Sequence, residues 1–403
     1  MKHLQFLLCI LAGILLPGIG YGLPPLQLFV ELTPAGGVLR PAPGSYSGPV
    51  VIDRPLTLDG AGAVTIDGGG SDTVLSVKAD GAVVRGLRLT NSGDSHDGID
   101  AGLLLEADGA LIENNVIDNT LFGIHIKQAN DNVIRNNRIS SRPVEPNLRG
   151  DGIRMWYSHG NLIADNQFTK VRDLVFANSS DNRILGNSVH DSRIGMQFIF
   201  SPENRVQDNT ISRNHTGIVV LYSDDLVIRG NRLRHMRSTA GSALSLKESS
   251  QVTIEENEVL HCAVGVGANA PIHPENIYYL KRNHFAFNDI ALYFYGENGG
   301  HVIQDNRFEQ NFVDVAASAP VGARYHRWRG NLWDNYEGFD RDRDGTGDTP
   351  HEIYAYSDRI WMDRPMARFF RGSPLLNLID FTERLAPFSN PELVLRDPTP
   401  LRR

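Results

Sequence analysis

Four soft metal ligands occupy matching positions in two neighbouring repeats, four and five residues after a recurring asparagine. They are His235, Met236, His261 and Cys262. Imidazole, thioether and thiolate groups together suit Cu(I) better than they suit calcium or magnesium. The spacing therefore predicts a Cu(I) site at this place. The alternative is that Met236 and Cys262 fill the core while the two histidines lie at the surface.

A second group has hard ligands and lies near the carboxyl end. Carboxylates occupy positions 1, 3, 5 and 9 of a loop, as Asp340, Asp342, Asp344 and Asp348. Gly345 stands at position 6, as in an EF-hand-like calcium loop. Position 12, which is normally a bidentate Glu, is His351. This pattern predicts a Ca²⁺ site, and the alternative is a solvated acidic turn.

A third group of charged residues could serve a carbohydrate enzyme. It comprises Asp151, Arg154, Arg172 and Asp173, which could project from neighbouring coils. Lyases, hydrolases and epimerases of acidic polysaccharides need clustered carboxylates, or a carboxylate with Arg or Lys, facing a groove. Elsewhere the acidic residues are scattered through turns, where solvation explains them. A carbohydrate-active enzyme, a lyase or epimerase, is thus one alternative for this chain.

These groups lie in or just beyond a repeat that runs from Asn115 to Trp333. Its constant element is Asn, any residue, then an apolar residue. The asparagines are Asn115, Asn137, Asn166, Asn187, Asn209, Asn231, Asn257, Asn283, Asn306 and Asn331. Successive copies are 22, 29, 21, 22, 22, 26, 26, 23 and 25 residues apart. A period of this size without helical periodicity predicts a solenoid.

Each repeat contains three short apolar segments separated by polar turns. One unit reads Asn209-Thr210-Ile211, then Gly217-Ile218-Val219-Val220, then Leu226-Val227-Ile228. Three short strands with polar corners make up one coil of a parallel β-helix. Stacked coils place the asparagines above one another, so that their amides can bond along the stack. We therefore predict an all-β parallel β-helix and a structural role for the asparagines.

The first 22 residues have the features of an export signal. Met1-Lys2-His3 precedes a mostly apolar run from Leu4 to about Ile19, and Gly20-Tyr21-Gly22 follows. A basic, then an apolar, then a small-residue segment predicts a signal peptide, 1–22, cleaved near Gly22. The apolar run is short for a membrane-spanning helix. We expect an exported protein.

The mature chain would be acidic and would contain a single cysteine. Lysine and arginine number 39 against 47 acidic residues, a net charge of −8, and removal of Lys2 gives 38 − 47 = −9. An acidic chain without a basic run argues against a nucleic acid partner. Only Cys262 remains once Cys9 is removed, so no internal disulfide is expected.

The repeat ends near Trp333 and divides the mature chain in two. Residues 23–335 are predicted to form the β-helix, and 336–403 a carboxy-terminal extension with the acidic loop and a capping helix. Ser373 as N-cap and Pro374 at the first helical position predict that helix, which would run to about Ala386. Its apolar surface would cap the open end of the solenoid or dock a partner.

Several stretches resemble the NosD family, the exported accessory proteins of nitrous oxide reductase maturation. They are Gly150–Ser158, Arg172–Val175, Gly330–Pro350 and Phe381–Ser389. The likeness covers nearly the whole mature chain. The carboxy-terminal stretches carry it more specifically than the repeat, which many β-helices share.

The resemblance implies a periplasmic, right-handed β-helix that is not an enzyme. It also implies three partners: the membrane and ATPase subunits of an ABC transporter, a copper chaperone lipoprotein, and nitrous oxide reductase, whose copper–sulfur centre they would supply. The chain would be peripheral to the membrane through its partners only. In one departure, Gln197 and Ile199 stand where the resemblance implies further soft ligands, which leaves Met196 alone. The expected function is scaffolding and docking rather than direct copper binding.

Overall fold

The computed structural model describes residues 22–239, 241–269, 273, 275–296, 298–318, 320–355, 378, 382 and 392–402. In this part of the chain, strands from Val38 to Trp333 wind into a parallel β-solenoid, and a 12-stranded sheet takes one strand from each turn. This confirms the predicted parallel β-helix fold. No helix in the described ranges is long and apolar enough to cross a lipid bilayer.

Each complete turn contributes one strand to each of three faces, which we call faces A, B and C, and in the described residues the last turn contributes strands to faces B and C only. Face A is the 12-stranded sheet. Its strands are β3 (Val50–Ile52), β5 (Leu75–Val77), β7 (Ala101–Leu105), β10 (Phe122–Lys127), β13 (Ile153–Trp156), β16 (Asp173–Ala177), β19 (Ile194–Ile199), β22 (Thr216–Leu221), β25 (Leu244–Lys247), β28 (Val264–Asn269), β31 (Ile290–Tyr295) and β34 (Val313–Ala317).

Faces B and C form one 24-stranded sheet, because two long strands near the amino end belong to both. These two are β4 (Thr57–Asp67) and β6 (Val83–Thr90). Face B also contains β1 (Val38–Leu39), β8 (Leu111–Glu113), β11 (Val133–Arg135), β14 (Leu162–Ala164), β17 (Arg183–Leu185), β20 (Arg205–Gln207), β23 (Val227–Arg229), β26 (Val252–Glu255), β29 (Tyr278–Lys281), β32 (Val302–Gln304) and β35 (Arg327–Arg329). Face C also contains β2 (Gly44–Ser47), β9 (Val116–Thr120), β12 (Arg138–Ser141), β15 (Gln167–Thr169), β18 (Ser188–His190), β21 (Thr210–Ser212), β24 (Arg232–Arg234), β27 (Glu258–Leu260), β30 (His284–Ala286), β33 (Arg307–Glu309) and β36 (Leu332–Trp333).

The strands pair in parallel, and equivalent residues of successive repeats lie side by side. On face C, Ile139 pairs with Phe168, Phe168 with Val189, and Val189 with Ile211. All four side chains are buried in the core. Because side chains alternate along a strand, the residues on either side of each core residue face outward. In the Asn-x-apolar motif, the asparagine thus lies at the corner before face C, and the apolar residue is the core residue of the face C strand.

The corners are made by single residues in the left-handed backbone region. Asp208, Arg213 and Tyr222 turn one repeat at its three corners, with φ of 56°, 54° and 49°. Short polar residues tolerate this region best. Large side chains also occupy it in this chain, and Tyr222 is exposed. The left-handed corner therefore turns a side chain outward directly before a buried residue, which is Asn209, Asn214 or Ser223 at these three corners.

Additional elements close both ends of the stack. Helix α1 (Gln27–Leu32) packs Val30 into the core at the amino end. At the carboxyl end β37 (His351–Ala355) pairs antiparallel with β38 (Glu392–Asp397). A short helix α2 (Pro320–Arg324) precedes the last turn, and a 3₁₀ turn (Pro146–Leu148) lies in the insertion after β12. The predicted signal peptide lies outside the described residues except for Gly22, as does the predicted capping helix except for Leu378 and Thr382, which are helical.

Candidate functional site

The recurring asparagines form a continuous buried ladder. The Nδ2 of Asn209 donates to Oδ1 of Asn231 at 2.9 Å, and also to the backbone oxygens of Ile184 and Gln207. The same oxygen of Asn231 accepts from the backbone N–H of Asn209. Every donor and acceptor of the amide is used within the stack, so the predicted structural role is confirmed.

The four candidate copper ligands lie on two successive turns, but their side chains leave the backbone in opposite directions. His235 and His261 occupy left-handed corners, with φ of 63° and 55°. Their imidazoles are exposed and stack at 5.2 Å between ring centroids. Met236 and Cys262 follow them in the chain and are fully buried. The structure brings the two histidines together and separates them from the two sulfur atoms.

The chemistry of these groups follows from their places. Burial raises the pKa of the Cys262 thiol to about 12, and its Sγ lies 3.3 Å from the backbone oxygen of Leu260. The group is therefore a neutral thiol, whereas metal binding uses the thiolate. The planes of His235 and His261 differ by 6°, so their in-plane lone pairs run parallel rather than meeting at one metal position. The four groups do not form a single coordination sphere in this conformation.

The acidic loop does bring carboxylates together. Oxygen atoms of Asp340, Asp342 and Asp344 all lie within 4.8 Å of one another, and these three are the only such group found in the described part of the chain. Asp348 accepts from the backbone N–H of Arg341 at 2.8 Å, which ties the loop across its base. His351, at position 12, begins β37 and stacks on Trp333 at 4.8 Å, so that position offers the loop no carboxylate.

The third charged group is an ion network around two buried carboxylates, at the corner where the strands β13, β16 and β19 of face A begin. Arg154 and Arg172 both pair with Asp151, at 3.1 and 2.9 Å. Arg193 pairs with Asp173 through both Nε and Nη2. Both carboxylates are almost fully buried, and burial raises the pKa of Asp151 while the bond from Arg172 opposes that effect. The network includes all four residues singled out from the sequence and adds Arg193.

A glycine explains how Asp151 reaches this position. A Cβ on Gly150 would lie 2.3 Å from the backbone oxygen of Leu121, so only glycine lets the 142–149 insertion return so close to the preceding turn. The N–H of Gly150 bonds that same oxygen at 3.1 Å. The close return of the insertion at Gly150 thus places the Asp151 side chain between Arg154 and Arg172.

Beside this network, the outer surface of face A has a recess that we call the face A notch. Val175 and Ala177 form its floor, since they are short side chains between larger ones on the two flanking strands. Register places Val175 between Arg154 and Gln197, and Ala177 between Trp156 and Ile199. The cavity measures about 400 Å³ and is also lined by Arg172, Asp173, Arg193, Asn178 and Phe200.

Exposed aromatic side chains border the notch. Trp156 and Phe200 lie on either side of it, with 41% and 55% of their surface exposed. Phe200 stacks on Tyr222 at 5.1 Å, and Tyr157 packs edge-on against Trp156. Sequence reasoning did not single out this group, although a signal was present. Tyr157, Phe200 and Tyr222 each directly precede a serine of a second buried ladder, Ser158, Ser201 and Ser223.

The architecture places the chain among the parallel β-solenoids, and solved structures of that class resemble it. The A-module of a mannuronan C-5 epimerase from Azotobacter vinelandii matches 80% of this chain and 98% of its own, with a TM-score of 0.54 and 15% identity. An alginate lyase complexed with a trisaccharide matches 72% and 84%, with a TM-score of 0.51 and 15% identity. At such low identity the likeness shows the fold alone.

Comparison by sequence is more specific. The family model described as "Periplasmic copper-binding protein (NosD)" matches residues 139–338, and one described as a protein of unknown function matches 44–231. A "Probable ABC transporter binding protein NosD" of Pseudomonas aeruginosa is 30% identical over 380 residues, covering 90% of this chain and 87% of the relative. The relative of the same name in Stutzerimonas stutzeri is 26% identical over 361 residues, covering 85% and 82%. The chain belongs to the NosD family.

Proposed function

We propose that this protein is a periplasmic accessory scaffold for copper-site maturation of nitrous oxide reductase, working with an ABC transporter and a copper chaperone. The observation that carries the proposal is the similarity over 90% of the chain to a relative named as an ABC transporter binding protein. The family description as periplasmic and copper-binding supports it, as does the export signal expected at residues 1–22.

The charged network supports a binding role rather than catalysis. A carbohydrate lyase or epimerase needs an acid or base that is free to exchange a proton with its substrate. Asp151 and Asp173 are buried and held by Arg154, Arg172 and Arg193. The alternative enzyme function therefore has no available proton carrier in this network.

In this role copper is cargo of the protein rather than a resident cofactor. We place its contact with this chain at His235 and His261, whose imidazoles are exposed on adjacent corners. Because their lone pairs run parallel, each imidazole would supply a separate nitrogen ligand whose other ligands come from the partner. Neutral imidazole is a suitable ligand for copper, and burial together with the neighbouring His261 lowers the pKa of His235. Met236 and Cys262 pack in the core directly after these two corners.

Calcium has a separate proposed role in the carboxy-terminal extension. Asp340, Asp342 and Asp344, with Asp348 at the loop base, would supply oxygen ligands to one ion. The loop also contacts the segment after β38, since the N–H of Gly347 donates to the backbone oxygen of Pro400 at 2.8 Å. A bound ion would hold this closure together.

The decisive experiment deletes the gene in a denitrifying host and purifies nitrous oxide reductase from the deletion strain. We expect a reductase deficient in the copper–sulfur centre, measured by copper content and visible spectrum, with recovery when the gene is restored. Tagged protein from the restored strain should retain the subunits of the ABC transporter. A fully loaded reductase in the deletion strain would contradict the proposal. Product release from alginate or polygalacturonate by purified protein would favour the enzyme alternative.

A further inference from the structure

We propose that the face A notch binds an extended acidic segment of a partner protein, with one carboxylate at the arginines and one apolar side chain between Trp156 and Phe200. The inference deepens the proposed scaffold function and rests on it only for the identity of the partner. It needs neither copper nor calcium, and it assigns the docking face that the family comparison leaves open.

Charge selects an anionic ligand. Three guanidiniums meet only two carboxylates in the network, which leaves one excess positive charge beside the notch. The side chains of Arg154 and Arg172 are 33% and 23% exposed. Each uses one nitrogen on Asp151, whereas a guanidinium has five N–H donors in a fork that matches a carboxylate. Both arginines can thus bind a second carboxylate while still holding Asp151.

The rest of the notch selects an apolar group. Val175, Ala177 and Ile199 form an apolar floor and side, and Trp156 and Phe200 rise on either edge. The flanking strands β13 and β19 are separated by two strand spacings, about 9.6 Å. A ring or branched aliphatic side chain needs about 7 Å between two surfaces in van der Waals contact. The recess therefore fits one such side chain over Ala177.

The same lining argues against a sugar. Sugar hydroxyls need acceptors as well as donors, and carboxylates usually supply them. Asp173 is the one carboxylate among the described residues that line the notch, and Arg193 holds both of its oxygens. The neutral amides available are those of Gln197 and Asn178. Exposed Trp, Tyr, Phe and Arg side chains are instead the composition typical of protein interface hot spots.

The strand geometry adds a sequence requirement for the ligand. Arg154 and Trp156 are two residues apart on β13, so they project from face A about 6.7 Å apart. Alternate side chains of an extended peptide have the same spacing. A peptide lying over β16, alongside β13, would place an acidic residue beside Arg154 and an apolar residue two positions away beside Trp156, over Ala177. The notch thus favours an acidic-x-apolar sequence, read in either direction.

The test uses saturation-transfer NMR on the mature protein in a metal-free buffer. The probes are acetyl-Asp-Gly-Phe-amide and the reversed acetyl-Phe-Gly-Asp-amide, with acetyl-Asn-Gly-Phe-amide as the uncharged control. We expect transfer to the phenyl protons of at least one acidic peptide, weakened about tenfold in the Asn peptide and weakened again at about 0.5 M salt. No transfer to either acidic peptide overturns the proposal.

Three variants locate the binding. Ala177→Phe fills the notch from its floor and leaves every ion pair in place, so we expect binding to fall about tenfold or more. Arg154→Gln removes one charge while Arg172 still holds Asp151, and it should weaken only the acidic peptides. Phe287→Ala is the matched control, because Phe287 is also an exposed aromatic at a left-handed corner, stacked on His261 at 5.0 Å. Unchanged thermal unfolding midpoints show that each variant is folded.

The remaining outcomes are also decisive. Equal binding by wild type and Ala177→Phe would place the peptide elsewhere and overturn the proposal. Displacement of the peptide by trigalacturonate at lower concentration than the peptide itself would make the notch a sugar site and overturn it too. Peptide binding in the notch without transporter capture would leave this inference standing and remove the proposed partner. Transporter capture by a wild type that binds neither acidic peptide would overturn this inference and leave the proposed function standing.

Discussion

At the residue scale, the side chains of two adjacent residues in this solenoid can lie on opposite sides of the backbone, one in solvent and one in the core. His261 lies at a left-handed corner and is exposed, and Cys262, the next residue, is fully buried. The same contrast holds for His235 and Met236. Equal offsets from the repeated asparagine therefore predict which side chains stack with one another, but adjacent offsets do not predict a shared site.

The copper contact can be tested by dividing the four candidates into an outer and an inner pair. Replacing both imidazoles, His235→Ala with His261→Ala, should lower the Cu(I) affinity about tenfold or more, because it removes the exposed ligands. Cys262→Ala should leave the affinity unchanged. The measurement is an anaerobic Cu(I) titration against a competing chelator, with His159→Ala as an exposed control. Binding lost in Cys262→Ala alone would show that the thiol becomes a ligand.

The asparagine ladder makes a strong prediction about stability. Asn209→Ala would remove the partner of the buried backbone N–H of Asn187, one acceptor of the Asn187 Nδ2 and one donor to the backbone oxygen of Ile184. We expect a loss of about 3–5 kcal/mol in the free energy of unfolding, since each unpaired buried group costs about 1–3 kcal/mol. Urea unfolding measures it. The neighbouring exposed residue gives the control, and Thr210→Ala should change the free energy by less than about 0.5 kcal/mol. Similar losses in both variants would contradict the ladder's importance.

At the element scale, the acidic loop is an EF-hand-like turn without its last ligand. Glu352, the next carboxylate along, pairs with Arg396 at 3.5 Å and accepts from the Tyr354 hydroxyl. It lies in the antiparallel pair of β37 and β38 rather than over the loop. The pairing of β37 with β38 thus holds the Glu352 carboxylate away from the loop, where a glutamate usually completes a calcium site.

The missing ligand sets the expected calcium affinity. We predict a weak site, with a dissociation constant of about 0.1–1 mM as in extracellular modules. The thermal unfolding midpoint should rise in millimolar Ca²⁺ relative to chelator, and this rise should disappear in Asp342→Asn with Asp344→Asn. Asp225→Asn, in an acidic turn elsewhere, provides the control. An equal rise in wild type and in the double variant would place the ion outside the loop.

At the scale of the whole molecule, long-range contacts close the carboxyl end of the stack. Asp397 is fully buried, and its Oδ2 accepts from the backbone N–H and Nδ2 of Asn331 and from Nε1 of Trp333. A carboxylate from the last strand therefore ends the asparagine ladder by taking the acceptor role that a further asparagine would have. The imidazoles of His301, His326 and His351 are buried in the same region.

These buried histidines should make the fold sensitive to acid. Burial lowers the pKa of His301 and His351 to about 4 and that of His326 well below its usual value. Their unfolded pKa is about 6.5, so between about pH 6.5 and 4 the unfolded chain binds more protons and stability falls as the pH falls. We expect a loss of about 1–2 kcal/mol per imidazole by about pH 5, measured by urea unfolding at about pH 7.5 and 5.

A single substitution tests the source of this acid sensitivity. His351→Phe keeps a ring against Trp333 and removes a buried Nε2 that has no hydrogen-bond partner. The variant should lose less stability on acidification than the wild type. His159→Gln, at an exposed position, should behave as the wild type does. An unaltered pH dependence in His351→Phe would assign the effect to other groups.

The sequence by itself determined the solenoid, because the fold repeats one local rule. An asparagine, an apolar residue two places later and a polar corner recur at each turn from Asn115 to Trp333, and stacking similar units satisfies each amide with the next. The composition of the acidic loop and the four charged residues of the face A network were also visible in the sequence. Tertiary structure then assembled those four residues into one cluster and added Arg193 to it.

Only the tertiary structure decided which way each side chain points and what covers it. It turned His235 and His261 away from Met236 and Cys262, because a left-handed corner reverses the side of the chain within one residue. It formed the face A notch, because Ala177 happens to lie in register between Trp156 and Ile199. It also joined Asp397 to Asn331, which are 66 residues apart. Such contacts depend on register between turns, and a repeat with insertions of variable length does not specify that register locally.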